Sequence, residues 1–154
     1  MPMVVIEVNG ERQGLNFSAC HVIQGHSKCG RMHGHNYFVS VKLEGDVKDG
    51  LLMDFGPLKE VVKAICREMD HRVLLPQHLT TTLKEEVVFE TGGKRYTFPK
   101  EDVVLLPLEF ISTEMLSQYF LKKIVENMDA PNVNKITVRV DESLGQGAYS
   151  ERTL

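Results

Sequence analysis

Two histidines one residue apart, His33 and His35, follow Cys29 in the run CGRMHGH. On an extended chain, side chains two apart project to the same side, so the two imidazoles can share one metal ion. His21 closes the run LNFSACH, in which Leu15, Phe17, Ala19 and His21 alternate onto one face. Three histidines leave an open coordination position on zinc, as a catalytic site requires. An H-x-H pair alone is also what a solvated or hydrogen-bonded strand surface presents. The nearby Cys29 and the Asp70-His71 pair are the additional features that point to one active site.

A thiol in a glycine-containing turn beside a metal ionises more readily than a free one, and the thiolate can then accept a proton. Cys29 meets that description. Its alternatives are a fourth metal ligand, which would close the site, and an inert thiol. In Asp70-His71 the carboxylate could orient the imidazole and set its proton affinity. Adjacent residues do not simply face each other, so the fold or a neighbouring subunit must create that geometry; a helix-terminal pair with no catalytic part is the alternative. Glu142 in VDES and Thr113-Glu114 in STE are polar groups that, taken alone, read as solvated surface. Cys20 turns to the strand face opposite His21, and Cys66 lies beside a helical apolar stripe, so both read as packing. His26 and His78 read as surface histidines, and Lys28 and Arg31 as surface cations of the kind that usually meet solvent.

These residues need elements to hold them. Segments 4–8, 15–22 and 35–43 alternate as strands, the first two separated by an Asn9-Gly10 turn signal, and a short apolar run covers 51–53. Pro57 fits the first turn of a helix whose stripe is Leu58, Val61, Val62, Ile65 and Met69. Asp54, where strand gives way to this helix, can satisfy exposed backbone donors and is assigned to structure. The run VVFETGGKRYTF reads as a hairpin about Gly92-Gly93, inserted within 75–111. Ser112 or Thr113 can cap a second helix with Leu116, Phe120, Ile124 and Met128 on one side. A last strand spans 135–140. The order predicts an α+β layer structure with two helices on one sheet face; if the other face is partly apolar, self-association must cover it.

The 154 residues fit a single domain, 1–154, able to bury a core. With 42% hydrophobic and 25% charged residues and a net charge of −3, the chain has no broad cationic surface for nucleic acid. No apolar run is long enough to cross a membrane, and the N-terminus lacks a signal pattern, so the expected compartment is the cytoplasm. Three irregularly spaced cysteines do not make a disulfide framework.

In order, FSACH, the CxxxHGHNY segment from Cys29 to Tyr37, LLMDFGPLK, MDHRVL, STEML and VDES resemble the motifs of the 6-pyruvoyltetrahydropterin / 6-carboxytetrahydropterin synthase family. The resemblance spans most of the chain. It implies that His21, His33 and His35 bind Zn²⁺, that Cys29 is the catalytic base, that Asp70 and His71 form an acid/base pair, and that Glu142 serves the catalytic relay and the pterin end of the site with Thr113 and Glu114. It implies the tunnelling fold: a four-stranded antiparallel sheet with two helices on one face, three copies closing a barrel and two barrels stacking into a homohexamer. The implied substrate is 7,8-dihydroneopterin triphosphate. One branch eliminates triphosphate to give the pyruvoyl product; the other cleaves a carbon–carbon bond to give 6-carboxytetrahydropterin and acetaldehyde, on the way to deazapurine nucleosides such as queuosine and archaeosine. Three residues between Cys29 and His33 match the bacterial-type carboxy enzymes, whereas the long segment 75–111 departs from their compact pattern. A zinc- or pterin-binding protein without turnover would not need Cys29, Asp70, His71 and Glu142, and a zinc hydrolase of the H-E-x-x-H class lacks its motif here.

Overall fold

The structure, a computed structural model, describes residues 2–154. Strand β3 (His33–Gly45) is the spine of the sheet. Along one edge it pairs antiparallel with β2 (Asn16–His21) over its first half and with β1 (Val4–Val8) over its second. Along the other it pairs antiparallel with β9 (Val133–Ser143), which pairs in turn with β10 (Gln146–Thr153). The strands expected at 4–8, 15–22, 35–43 and 135–140 are β1, β2, β3 and β9, and β10 is an additional antiparallel strand at the edge. Beyond β2 the sheet continues through two short parallel strands, β4 (Arg72–Pro76) and β8 (Val103–Leu106), so that it has seven strands.

Alternation decides what faces inward. Phe17 and Ala19 of β2, Tyr37, Val39, Val41 and Leu43 of β3, and Ile136, Val138 and Val140 of β9 are buried in one core. Helices α2 (Phe55–Met69) and α3 (Thr113–Asn127) cover this face and touch each other, contributing Leu58, Val62, Ile65, Met69, Leu116, Phe120 and Ile124. Asp54 caps α2 by accepting from Gly56 N at 3.1 Å, the structural part expected of it, and Ser112 caps α3 by accepting from Met115 N at 3.3 Å. The Asn9-Gly10 turn is one turn of helix, α1 (Gly10–Gln13), rather than a two-residue hairpin.

The opposite face of the sheet carries Glu7, Ser40, Lys42, Glu44, Thr137, Arg139 and Asp141, with ion pairs from Lys135 to Glu44 and Glu151. It is mostly polar, with Val5 and Tyr149 as exposed apolar side chains on it, so a partner on this side would meet chiefly charge and hydrogen bonds.

The hairpin about Gly92-Gly93 is present as β6 (Glu86–Thr91) and β7 (Lys94–Pro99), with a third strand, β5 (Thr80–Leu83), on the far side of β6. This small sheet builds a second apolar core. Val87 and Phe89 pack with Val22, Leu75 and Val103, and Met32, Tyr96 and Phe98 lie against them.

Candidate metal centre and active-site cavity

The site forms where the inward rows of β2, β3 and β9 run on past the helices. Register places His21 opposite His33, and His33 and His35 share one side of β3. The ring centroids of His21 and His33 are 4.5 Å apart, those of His21 and His35 5.1 Å, and those of His33 and His35 5.0 Å. One nitrogen from each lies within 4.8 Å of the others. Glu142 continues the inward row of β9, and its Oε2 is 3.7 Å from His35 Nε2. Its Oε1 accepts from Gln146 Nε2 at 3.0 Å, so β10 holds the carboxylate in place.

Backbone carbonyls orient two of the rings. His21 Nδ1 is 2.6 Å from Ile111 O, just before α3, and His33 Nδ1 is 2.6 Å from Arg31 O. A ring N–H must donate in each case, which leaves Nε2 with a bare lone pair. His21 Nε2 is buried and has no hydrogen-bond partner. A buried, unpaired nitrogen is costly in a metal-free protein and is what a zinc ion satisfies, so the three histidines fit the metal.

His21 is 1% exposed. Desolvation lowers its pKa from 6.5 to about 4, against the opposing pull of the Ile111 carbonyl, and His35 is shifted the same way by the same cause. Both are therefore neutral, ligand-ready imidazoles at neutral pH. The shift also sets a stability signature for metal-stripped protein. Between pH 6.5 and about 4 the unfolded chain takes up a proton that folded His21 refuses, so stability falls as pH drops through that window and levels below it. The expected loss from His21 is on the order of 3 kcal/mol. Urea unfolding of chelator-treated protein at several pH values measures it; a loss equally large in His21→Gln would assign it to other groups.

A cavity of about 1100 Å³ opens on the histidines. Cys29, Thr113, Glu114 and Glu142 line it together with His21, His33 and His35. The cavity has opposite chemistry at its margins: Lys28 and Arg31 beside Cys29 on the 22–32 loop, and the carboxylates Glu114 and Glu142 elsewhere on its wall. Cys29 is half-buried, and its carbonyl closes the loop by accepting from Ile23 N at 2.7 Å. Gly30 is required there, because a Cβ would stand 2.1 Å from His26 O.

Other lining residues had no sequence signal. Gln24 and Phe110 lie in irregular segments, and His26, read as a surface histidine, is exposed but on the cavity wall. His78 is exposed away from it. Cys20 pairs with Gly34 across the strands, and Cys66 is buried, its thiol pushed up to about 12 chiefly by desolvation, as packing residues should be.

Asp70 and His71 do not line this cavity. They sit where α2 meets β4, and Ser18 of β2 pins them: its N–H donates to Asp70 Oδ1 at 2.8 Å and its carbonyl accepts from His71 N at 2.7 Å. The Ser18 N–H, reinforced by His71, holds the Asp70 carboxyl below the usual range. His71 takes a left-handed backbone, φ +61°, and this lets adjacent side chains face each other, with His71 Nδ1 2.8 Å from Asp70 Oδ2. The imidazole is 84% exposed, a dyad presented outward.

The profile of the 6-pyruvoyl tetrahydropterin synthase family matches residues 12–152. The chain belongs to this family. A Methanocaldococcus jannaschii protein provisionally named a 6-carboxy-5,6,7,8-tetrahydropterin synthase is 39% identical over 160 residues, covering 98% of each chain. The 6-carboxy-5,6,7,8-tetrahydropterin synthase of Haemophilus influenzae is 35% identical over 101 residues, 58% of this chain and 72% of that one. The crystal structure of 6-pyruvoyl tetrahydropterin synthase from Plasmodium vivax superposes with a TM-score of 0.91 over 100% of both chains at 30% identity. This pterin synthase family member thus has the tunnelling fold. Among the described residues no helix is long and apolar enough to cross a membrane.

Proposed function

We propose that the chain is a zinc-dependent 6-carboxy-5,6,7,8-tetrahydropterin synthase acting on 7,8-dihydroneopterin triphosphate in the cytoplasm, as a step toward deazapurine nucleosides. The observation that carries this reading is the cavity in which three clustered imidazoles meet Cys29 and Glu142. Its likeness to full-length relatives bearing the carboxy name, and the three residues between Cys29 and His33, favour that branch.

His21, His33 and His35 would hold zinc, which when bound polarises the hydroxyls of the substrate side chain. Cys29 removes a carbon-bound proton as thiolate. His71, oriented by Asp70, returns or relays protons. Glu142 accepts two parallel hydrogen bonds from the 2-amino group and ring N–H of the pterin, with Thr113 and Glu114 beside it. Lys28 and Arg31 are placed to meet phosphate oxygens. The pyruvoyl reaction is the second reading, favoured by the Plasmodium vivax likeness. Incubation with dihydroneopterin triphosphate decides: 6-carboxytetrahydropterin with acetaldehyde supports the first, the pyruvoyl product the second, and zinc retention without turnover a binding protein.

The dyad stands outside its own chain's cavity, so we infer that it serves the cavity of a neighbouring copy in a homohexamer of two trimers. Cys29→Ala and His71→Ala are each expected to be inactive. Mixed and reassembled, they should recover about a quarter of wild-type activity, the random fraction of sites receiving both intact groups. No recovery in demonstrably mixed oligomers, or full activity in a monomer, refutes a shared site.

A further inference from the structure

We propose that the β5–β7 sheet is a brace for the 22–32 loop, a positioning element that holds Cys29 over the three histidines. The loop is compact but short of regular pairing. Its internal backbone bonds are Ile23 N to Cys29 O at 2.7 Å, His26 N to Ile23 O at 3.3 Å and Arg31 N to Lys28 O at 3.2 Å. These shape the loop without fixing where it sits on the molecule.

Fixation comes from outside, with β4 and β8 of the main sheet on one side, through Val73, Leu75, Val103 and Leu105, and the small sheet on the other. Both stems of the loop enter the second apolar core: Val22, 1% exposed and next to His21, and Met32, next to His33. Val87, Phe89, Tyr96 and Phe98 of β6 and β7 supply much of that core, and the rings of Phe89, Tyr96 and Phe98 stack in series at 5.9 and 6.1 Å. At the hairpin tip Lys94 Nζ lies 3.5 Å from Gly30 O, one residue from Cys29. A further tie, Gln24 Nε2 to Glu109 O at 2.9 Å, comes from the segment after β8. The small sheet has its own pairing, β5–β6–β7, separate from that of the main sheet. It therefore contacts the active site through this loop while supplying none of the residues that line the cavity. Side chains that pack at both stems and reach Gly30 beside Cys29 restrict the loop at the points where its motion would carry Cys29 away.

The functional arm of the test rests on the proposed reaction, and the physical arm does not. In zinc-loaded protein, Phe98→Ala should speed hydrogen exchange of residues 23–31 about ten-fold while β3 and α3 keep their protection. Zinc content should stay at the wild-type level, kcat should fall about ten-fold as the base is displaced, and KM should rise with it, since Lys28 and Arg31 ride on the same loop. Lys94→Ala should give a smaller change in the same direction, and Lys94→Arg should restore it. Faster exchange in 80–99 with 23–31 unchanged in Phe98→Ala would overturn the brace. Should Phe98→Ala fail to fold, wild-type exchange of 23–31 in Lys94→Ala overturns it instead. Absence of turnover on the pterin triphosphate in wild-type protein removes the proposed reaction and leaves the exchange result to decide the brace.

Discussion

Cys29→Ala is expected to lower kcat by about 10³-fold, within the range that loss of a positioned general base produces. The same variant should keep its zinc, because the three histidines form a ligand set without the thiol and leave the fourth position to substrate. The loop should also keep its shape. Cys29 contributes a carbonyl to Ile23 N, a bond that alanine retains, and its side chain is only half-buried. Activity and metal content should therefore separate, as measured by single-turnover kinetics beside elemental analysis. Loss of zinc along with activity would make Cys29 a ligand and would close the site to substrate hydroxyls.

His33→Ala combined with His35→Ala should abolish both metal and turnover. One imidazole, His21, remains, and a lone neutral histidine cannot compete with water for zinc at ordinary concentrations. Elemental analysis should fall from one zinc per chain to the background of a chelator-treated sample. Unfolding should show a second effect: wild-type protein loses stability on chelation, as ligand linkage requires, whereas the double variant should be indifferent to chelator. Both replaced side chains are half-buried at the margin of the helix-packed core, where the His35 ring meets Tyr37 at 5.5 Å, so the variant should still fold. Stoichiometric zinc in a folded double variant would refute the assignment.

The histidine triad was legible because strand alternation has an unambiguous period. Once segments 15–22 and 35–43 read as strands, His21 and the H-x-H pair fell on inward rows, and the register of β2 on β3 brings them together. The helices were legible through their apolar stripes and caps. Strand β10 was not, because it lies at a sheet edge and its residues are largely exposed, leaving no hydrophobic alternation to read. The same holds for β5, with three threonines and a leucine, all but the first exposed. Strands β4 and β8 each hold an apolar run of four residues, too short to tell from buried turns without their parallel partners. At the site, the signal for Glu142 was a motif rather than a pattern, since it depends on β9 extending past 135–140 to Ser143. The carbonyls of Ile111 and Arg31 that orient two rings are backbone atoms, which no side-chain pattern reveals. Nor can spacing reveal that Asp70 and His71 face each other, since one dihedral angle decides it.

That dihedral has a bearing on how the sequence is selected. A left-handed backbone at a residue with a Cβ costs of order 1 kcal/mol or more, and glycine would occupy the position without strain. His71 is also 84% exposed, so its ring recovers little of that cost through burial. A chain chosen for folding stability alone would drift to glycine here. Histidine at this position marks a place where stability is held below its attainable maximum, and thermostabilised variants obtained without an activity screen should lose the imidazole at 71 before they lose any residue of the buried core.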